Sequence, residues 1–348
     1  MKVWLYIFLL IITTKGSTQN SIRYSFFAAG HSSHYIGLNP RFVNHFEFID
    51  SYESMNFGFL LGDMVTGNPK EEDWLAVEQD LTLLNTFHYK VAGNHDMEDR
   101  ELYESRYGAT YYSIKHENDL FVILDPNIDG WNISGSQLEF YKETIQQHKD
   151  SVDHIFIMHH QLLWKVPGEL YEAVQWNSNS GRDEEVNFWS EVISEVQGLN
   201  CDVFFYSGDV GGTPWSSSFM YDTFLNIHFI ATGMGHSDGE NMVITDIRND
   251  GSVEFKLICL SSSEIYCFGE LTDYTLHEIS IGGAIECLSY IQNGELKFCK
   301  NEEFFSVYDL LGKYYGQVKS GDKLNLNKGI YLFRGVSGLY KPVKLYLE

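Results

Sequence analysis

The sequence has little positive charge for its length. Its 348 residues include 24 lysines and arginines against 48 aspartates and glutamates, which gives a formal net charge of −24. A chain this acidic repels nucleic acid and anionic membranes at long range, so neither is an expected partner. A phosphate-bearing ligand has to be attracted locally, and bound metal cations are the simplest way to do that.

Long apolar runs are absent after the first dozen residues, so no transmembrane helix is expected in the mature chain. Within those first residues there is one apolar run, at 3–12, which follows Lys2 and precedes small and polar residues at 13–17. This order is typical of a secretory signal peptide, here residues 1–19, and an N-terminal anchor is the alternative. Export predicts a secreted or cell-surface protein.

Cysteine is also scarce, and its spacing does not match a zinc-binding cysteine cluster. Export permits disulfides, and Cys259–Cys267 and Cys287–Cys299 are the candidate pairs. Cys201 lies in a mostly apolar run, which predicts a buried thiol that behaves as a small hydrophobic side chain. A Walker loop, a Gly-x-Ser-x-Gly elbow and an HExxH helix are missing as well, which argues against the enzyme classes built on them.

What the sequence does contain is a series of short apolar runs, each ending in a polar or glycine-containing turn. Such runs predict strands buried on both faces, at residues 24–28, 57–61, 89–92, 154–158, 203–206 and 227–231. Apolar residues at helical spacing predict helices at 71–85, 136–148 and 184–196, and residues 111–114 and 120–124 predict a hairpin. Strands that alternate with helices predict an α/β fold with its ligand crevice at the carboxyl ends of the strands.

The character of the chain changes at about residue 281. Helical patterns vanish, and strand-like runs at 304–308, 314–318, 329–333 and 343–347 are separated by turns. These runs predict a small C-terminal all-β domain, resembling a sandwich, over residues 281–348. The expected organisation is therefore a main domain at 20–262, a linker at 263–280 and this β domain.

Two motifs at predicted strand ends carry the strongest chemical information. Gly62-Asp63 and Gly93-Asn94-His95-Asp96 each follow a buried strand, and a predicted helix separates them. Aspartate, asparagine and histidine are ligands for first-row transition metals, and a preceding glycine lets the backbone approach an ion closely. Two further residues of metal-binding types, His159 and Asp209, also lie at the ends of predicted strands.

These motifs resemble those of the calcineurin-like metallophosphoesterases, over residues 21–260. The resemblance implies a layered β-sandwich flanked by helices, and two divalent metal ions (zinc, manganese or iron) that supply hydroxide to attack a phosphomonoester or phosphodiester. It implies these metal ligands: His31, Asp63, Asn94, His159 and Asp209. His95 matches the residue that stabilises the transition state or protonates the leaving oxygen, and Asp96 matches its orienting carboxylate. His160 is expected to be a packed neighbour of His159.

Two positions depart from the family pattern. Ala29 stands where the first aspartate belongs, and Gly211 stands where the second histidine of the last motif belongs. The second metal site is therefore expected to be more secure than the first. Three further residues are candidates to complete the first site: His34, His236 and Asp238. The rivals to an enzyme are a non-catalytic metal- or phosphate-binding surface protein with a degenerate first site, and an adhesin or structural surface protein.

The C-terminal region has a resemblance of its own. The stretch from Val307 to Lys313, with Lys328-Gly329-Ile330-Tyr331-Leu332 further on, is similar to the C-terminal sorting domain of Bacteroidetes type nine secretion cargo. That resemblance implies the secretion machinery as a partner, besides a small-molecule or surface phosphoester substrate. An accessory β domain without a sorting role is the alternative.

Overall fold

The computed structural model describes residues 21–167, 171, 173–235 and 238–276, together with six strands further along the chain. The predicted signal peptide, His236 and the candidate pair Cys287–Cys299 lie outside the described residues. Nothing in the structure tests the expected domain boundaries, which stay predictions.

Eleven strands build the main body, and they fall into two sheets. They are β1 (Ile22–Ala29), β2 (Met55–Leu60), β3 (Phe87–Lys90), β4 (Tyr112–His116), β5 (Asp119–Ile123), β6 (His154–His159), β7 (Asp202–Ser207), β8 (Phe219–Phe224), β9 (Ile227–Thr232), β10 (Asn241–Arg248) and β11 (Val253–Cys259). One sheet has the order β11-β10-β1-β2-β3, and the other has the order β4-β5-β6-β7-β9-β8. Each sheet contains a run of parallel strands, β1-β2-β3 at one side of the first sheet and β5-β6-β7-β9 in the middle of the second. All six predicted strands and the predicted hairpin are confirmed.

Helices cover the outer faces of the sheets. They are α1 (Pro40–Val43), α2 (Phe46–Ser51), α3 (Glu71–Leu81), α4 (Arg100–Tyr107) and α5 (Gly135–His148). The predictions at 71–85 and 136–148 are confirmed, with the first helix ending earlier than expected. The prediction at 184–196 is wrong as an α-helix, because that segment forms a π-helical turn at Phe188–Val192 followed by a 3-10 turn at Ile193–Glu195.

Side-chain alternation along each strand creates three apolar layers. The layer between the sheets is aromatic, and it includes a stack in which Phe121 lies 4.8 Å from Phe156 and Phe156 lies 4.9 Å from Phe204 between ring centroids. The neighbouring residues on the same strands face outward. Ile155 and Ile157, for example, pack with α5 residues in the layer beyond the second sheet. The result is the expected layered β-sandwich flanked by helices.

The segment after β11 packs onto this sandwich. Cys259 and Cys267 form the predicted disulfide, with their Cα atoms 5.8 Å apart, and Cys201 is buried as predicted. Leu271 is fully buried in the layer between the sheets, and Thr275 bridges to Tyr221. The described part of the expected linker, residues 263–276, is therefore attached to the main body.

The four predicted C-terminal strands are present. The strands in this region are β12 (Tyr290–Gln292), β13 (Glu295–Lys297), β14 (Phe304–Asp309), β15 (Tyr314–Lys319), β16 (Gly329–Gly335) and β17 (Val343–Leu347). The last four form one antiparallel sheet in the order β15-β14-β16-β17. Within the described ranges, no helix combines the length and the apolar character that crossing a membrane requires.

Candidate metal centre

The carboxyl ends of strands from both sheets meet at one edge of the sandwich, where glycine allows unusually close approach. A Cβ atom on Gly30 would lie 2.4 Å from the Cα atom of Gly208, and one on Gly93 would lie 2.1 Å from the backbone nitrogen of Asp63. Any side chain at these two positions would collide with backbone. The loops that follow β1, β2, β3 and β7 can therefore converge because Gly30 and Gly93 have no side chain.

Two histidines and two aspartates face each other where these loops meet. The Nε2 atom of His31 lies 3.3 Å from Asp209 Oδ1 and 3.5 Å from Asp63 Oδ2. The Nε2 atom of His160 lies 3.3 Å from Asp63 Oδ2 and 3.9 Å from Asp209 Oδ1. We call these four side chains the His/Asp cluster. All four are buried, and His31 is the most exposed of them at 7%.

The backbone of the cluster is strained in a way that folded proteins keep mainly at functional sites. His31 has φ +50° and Asp63 has φ +53°, in the left-handed region that residues with a side chain seldom occupy. Hydrogen bonds hold both residues there, because the His31 amide donates to the Gly62 carbonyl at 3.2 Å and the Ser33 amide donates to the Asp63 carbonyl at 3.0 Å. The two loops are thus fixed to each other.

Charge pairing shifts the pKa values in the cluster in opposite directions. Burial raises the pKa of Asp63, but the neighbouring His160 and His31 lower it more, so the net value is below the usual range. Burial lowers the pKa of His160, but Asp63 and Asp209 outweigh it and raise the pKa to about 10. Burial raises the pKa of Asp209 in spite of its contacts with His31 and His160.

The donor atoms of the cluster fit a divalent metal ion. Among the described residues, Asp63 Oδ2, Asp209 Oδ2 and His160 Nε2 are buried and form no hydrogen bond, although His160 Nε2 and Asp63 Oδ2 lie 3.3 Å apart as an ion pair. Such an arrangement is costly for polar atoms. The Nδ1 atom of His160 lies 2.6 Å from the Leu61 carbonyl, so a hydrogen bond there directs Nε2 to the cluster. Ligand atoms of His31, His160 and Asp209 all lie within 4.8 Å of one another. Two carboxylates and two imidazoles suit zinc, manganese or iron.

The two adjacent histidines have the opposite placement from the one the sequence predicted. His159, expected as a ligand, packs in the outer apolar layer 5.5 Å from Trp164 and 6.4 Å from Phe188 between ring centroids. Its Nδ1 atom contacts the Gln161 carbonyl, and burial lowers its pKa to about 3, so it stays neutral. His160, expected behind it, reaches Asp63. Successive side chains along a strand point to opposite faces of the sheet, so the neighbouring residues His159 and His160 face different sides.

Asp96 ties the second and third strand-end loops together. Its two oxygens accept hydrogen bonds from four backbone amides, those of Asp63, Met64, Val65 and Gly93. Burial and the nearby Asp63 carboxylate raise its pKa to about 7 against the effect of these donors. The sequence-based role of Asp96 as the orienting carboxylate of His95 stays a prediction, and the structure places both of its oxygens against the backbone amides of these loops.

Glu98 lies beside His95, in the position where the family resemblance implied Asp96. The Nδ1 atom of His95 lies 2.8 Å from Glu98 Oε1, and the backbone amide of His95 donates to Asp63 Oδ1 at 3.0 Å. Burial lowers the pKa of His95, but Asp63 and Glu98 outweigh it, so its pKa is raised. The spacing of three residues in a helical turn was the only sequence feature that could have indicated this pair.

A cavity of about 330 Å³ opens beside His95. Asn94 lies at its wall, half-buried, together with Met97 and Trp131. Trp131 has φ +75°, which is rare for so large a residue. The cavity provides space for a ligand beside His95, although none of the four cluster residues lines it.

The candidates for completing the first metal site are not brought into the cluster by any described contact. His34 lies in a turn in which its amide donates to the Gly37 carbonyl, and its ring lies 5.0 Å from that of Tyr35. Asp238 is exposed, and His236 lies outside the described residues. Gly211 has φ +74°, and a Cβ atom there would lie 2.7 Å from the Met234 carbonyl oxygen, so a histidine does not fit.

One neighbour of the cluster carries no sequence motif. The Nδ2 atom of Asn177, on the loop before the π-helical turn, lies 3.1 Å from His31 Nε2. Asn177 is separated from every strand end in the sequence, so no pattern of spacing indicated it.

Comparison with known proteins identifies the fold. No protein-family model matches the chain, and no curated protein matches it. Among solved structures, GAP50 of Plasmodium, described as the anchor in the inner membrane complex, has a TM-score of 0.50 and 12% identity over 72% of this chain and 89% of that one. The purple acid phosphatase PPD1 from yellow lupin seeds has a TM-score of 0.51 and 13% identity over 72% of this chain and 53% of that one. The chain has a metallophosphoesterase-type fold.

Proposed function

We propose that this protein is an exported, metal-dependent phosphoesterase whose metal ion is held by His31, Asp63, His160 and Asp209. One observation carries the proposal, namely the buried donor atoms of Asp63, His160 and Asp209 that form no hydrogen bond in the described part of the chain. Burying such atoms costs free energy, and a divalent cation would recover it. The likeness of the fold to a purple acid phosphatase supports the same proposal.

The residues around the cluster support hydrolysis of a phosphomonoester or phosphodiester. When bound, a divalent ion supplies a Lewis acid and makes water more acidic. His95, half-buried at the cavity wall with a raised pKa, would donate a proton to the leaving oxygen, and Glu98 would orient its ring. Asp96 would keep the loops that carry Asp63 and Asn94 in register.

The number of tight metal sites is part of the proposal. The sequence predicted two ions, with the second site more secure, and the cluster provides a convincing ligand set for one. Ala29 is fully buried in an apolar layer and Gly211 has no room for a side chain, so neither position contributes a donor. We expect one ion to remain through dialysis and a second, if it binds, to be lost.

The direct test is turnover of an aryl phosphate ester by the purified mature protein with added zinc, manganese or iron. Asp63→Asn should lose both the metal and the activity, because this residue contacts both histidines of the cluster. Asp238→Asn, at an exposed carboxylate, should lose neither. Full turnover by Asp63→Asn would contradict the proposal.

Export and sorting need a test of their own. Mass mapping of the chain termini in native exported protein should show that residues before about Gln19 are missing. If the secretion machinery recognises the C-terminal domain and removes it, the final β strands should be missing too. An intact chain recovered inside the cell would defeat this part of the proposal.

A non-catalytic binding protein is the second candidate, and two observations favour it. The first metal site lacks donors at positions 29 and 211, and one structure with a similar fold, GAP50 of Plasmodium, is described as the anchor in the inner membrane complex. This candidate predicts metal or phosphate binding without turnover of any phosphate ester over a broad pH range. The assay above therefore separates the two functions.

A further inference from the structure

We propose that Asn177 supplies an oxygen ligand to the metal ion of the His/Asp cluster, from a loop rather than from a strand end. This inference rests on the proposed function, since it presupposes that the cluster binds metal. It assigns a role to a residue that none of the metal-binding motifs contains.

The side chain of Asn177 lies at the cluster. Its Nδ2 atom is 3.1 Å from His31 Nε2, and the same His31 atom is 3.3 Å from Asp209 Oδ1. Glycine at position 212 makes room for the amide, because a Cβ atom there would lie 2.8 Å from Asn177 Oδ1. The amide group is thus as close to His31 as the two carboxylates of the cluster.

The loop that carries Asn177 is fastened to the loop after Asp209. The Ser217 amide donates to the Gln175 carbonyl at 2.7 Å, and the Gln175 amide donates to Ser217 Oγ at 3.0 Å. Ser216 Oγ also donates to the Gln175 carbonyl at 3.1 Å. These bonds lie two residues from Asn177, so its backbone is positioned in the way that a ligand requires.

The chemistry of the amide allows either of its ends to face the cluster. The nitrogen and oxygen ends have nearly the same shape, and a half-turn about the last side-chain bond exchanges them. An imidazole must be unprotonated at the nitrogen that binds a metal. His31 with a metal at Nε2 would therefore have no proton there to donate to the amide oxygen of Asn177. Amide oxygen is a good ligand for a divalent ion, whereas the amide nitrogen is a donor only.

A ligand from this loop would compensate for the incomplete strand ends. Positions 29 and 211 offer no ligand, so the four cluster residues provide the ion with fewer ligands than the family pattern would. Gly211 itself begins the loop to which the Asn177 segment is fastened. An uncharged oxygen adds a ligand without a third negative charge. The protein would thereby replace a strand-end ligand with one from a fastened loop.

The test measures cobalt(II) binding by the mature protein, using competition with a chelator and the visible absorption of the bound ion. Asn177→Ala should weaken binding about 10–100-fold or more, which is the cost of removing a partner of a metal site, and should change the cobalt spectrum. Asn177→Asp keeps the oxygen and removes the amide donor, so it should bind cobalt at least as tightly as the wild type. Asn179→Ala, at an exposed asparagine of the same loop, should change neither measurement.

Each outcome is decisive once circular dichroism shows that the variants are folded. Unchanged affinity and spectrum in Asn177→Ala would overturn the inference. Equal weakening in Asn177→Ala and Asn177→Asp would also overturn it, because the amide would then act as a donor to His31. If the wild type binds no cobalt, the proposed metal site fails and the inference fails with it. If only the Asn177 variants behave unexpectedly, the proposed function stands.

Discussion

Two of the buried histidines near opposite ends of strand β6, His154 and His160, have opposite surroundings. At its start, His154 Nδ1 lies 2.8 Å from Asp119 Oδ1, and His154 Nε2 lies 2.9 Å from the Gly251 carbonyl. Just past its end, His160 Nδ1 lies 2.6 Å from the Leu61 carbonyl, but its Nε2 atom lies 3.3 Å from Asp63 Oδ2 and forms no hydrogen bond in the described part of the chain. Both rings are buried, so the difference lies in their partners.

The carboxylates at the two ends differ in the same way. Asp119 is fully buried and accepts hydrogen bonds from Arg23 and from the Tyr24 hydroxyl as well as from the histidine. Asp63 and Asp209 are equally buried, yet each has one oxygen without a hydrogen-bond partner in the described ranges. Burying a charge is costly unless partners compensate it. Histidine and aspartate therefore stabilise the fold at the His154 end of β6, whereas at the His160 end they have buried atoms that are available to a ligand.

The largest effect that this comparison predicts is on metal binding by the paired histidines of β6. His160→Gln should reduce zinc or manganese affinity by more than about 100-fold, because it removes a ligand rather than one of its supporting partners. His159→Gln should leave the metal content unchanged, because that ring faces the outer apolar layer. Metal analysis of folded, dialysed protein measures both variants.

The opposite result would restore the assignment made from the sequence. If His159→Gln lost the metal and His160→Gln kept it, the ligand would be the earlier histidine, and the contrast between the two ends of β6 would no longer mark the site.

The histidine pair shows where sequence reasoning stops. The strands were predictable because continuous apolar runs are buried on both faces, and the loops were predictable because glycine precedes Asp63 and Asn94. Periodicity could not decide whether His159 or His160 faces the cluster, because both follow the same apolar run. That choice depends on which face of β6 meets the other sheet, which is a property of tertiary packing.

Contacts made by loops were equally hard to predict. Asn177 reaches His31 from a segment with no periodic pattern, and Glu98 stands beside His95 where the family pattern suggested Asp96. Helix prediction failed at 184–196 for a related reason. Its apolar residues fit helical spacing, but Phe188 and Trp189 pack tightly around Phe229, in a segment that adopts π and 3-10 turns.

At the His154 end of β6, where the polar atoms of His154 and Asp119 have hydrogen-bond partners, the largest expected effect is on stability. Asp119→Ala should lower the free energy of unfolding by about 3–5 kcal/mol, because it leaves Arg23 and His154 without their buried partner. Urea unfolding monitored by fluorescence measures this change. Metal affinity of the folded fraction should be unaffected. A loss of metal without a loss of stability would mean that the two ends are coupled.

The same end should respond to pH. Burial and Arg23 lower the pKa of His154, but Asp119 raises it more, so the folded state binds this proton more tightly than the unfolded chain does. The resulting stability is fully present below about pH 6.5 and is lost as the pH rises through the raised value. The lowered pKa of Asp119 makes its contribution fall only as the solution becomes acidic, below about pH 4.

The wild type should therefore exceed His154→Gln in stability most clearly between about pH 4 and 6.5, by about 1.5–3 kcal/mol, the range for a hydrogen bond to a charged group. Urea unfolding at a series of pH values gives the difference directly. A difference that stays constant from pH 5 to 9 would show that the His154 proton does not contribute.

The smallest predicted effect concerns the hydroxyl of Tyr24, which donates to Asp119 Oδ2 at 2.6 Å. Burial and Asp119 raise the pKa of Tyr24, so it remains a donor at any working pH. Tyr24→Phe keeps the ring packing, and two donors remain on Asp119, so we expect a loss of about 1–1.5 kcal/mol. The control is Tyr206→Phe, which removes a buried hydroxyl 2.8 Å from the neutral Thr245 Oγ1 and should cost less. Equal losses would mean that the negative charge of Asp119 does not strengthen this hydrogen bond.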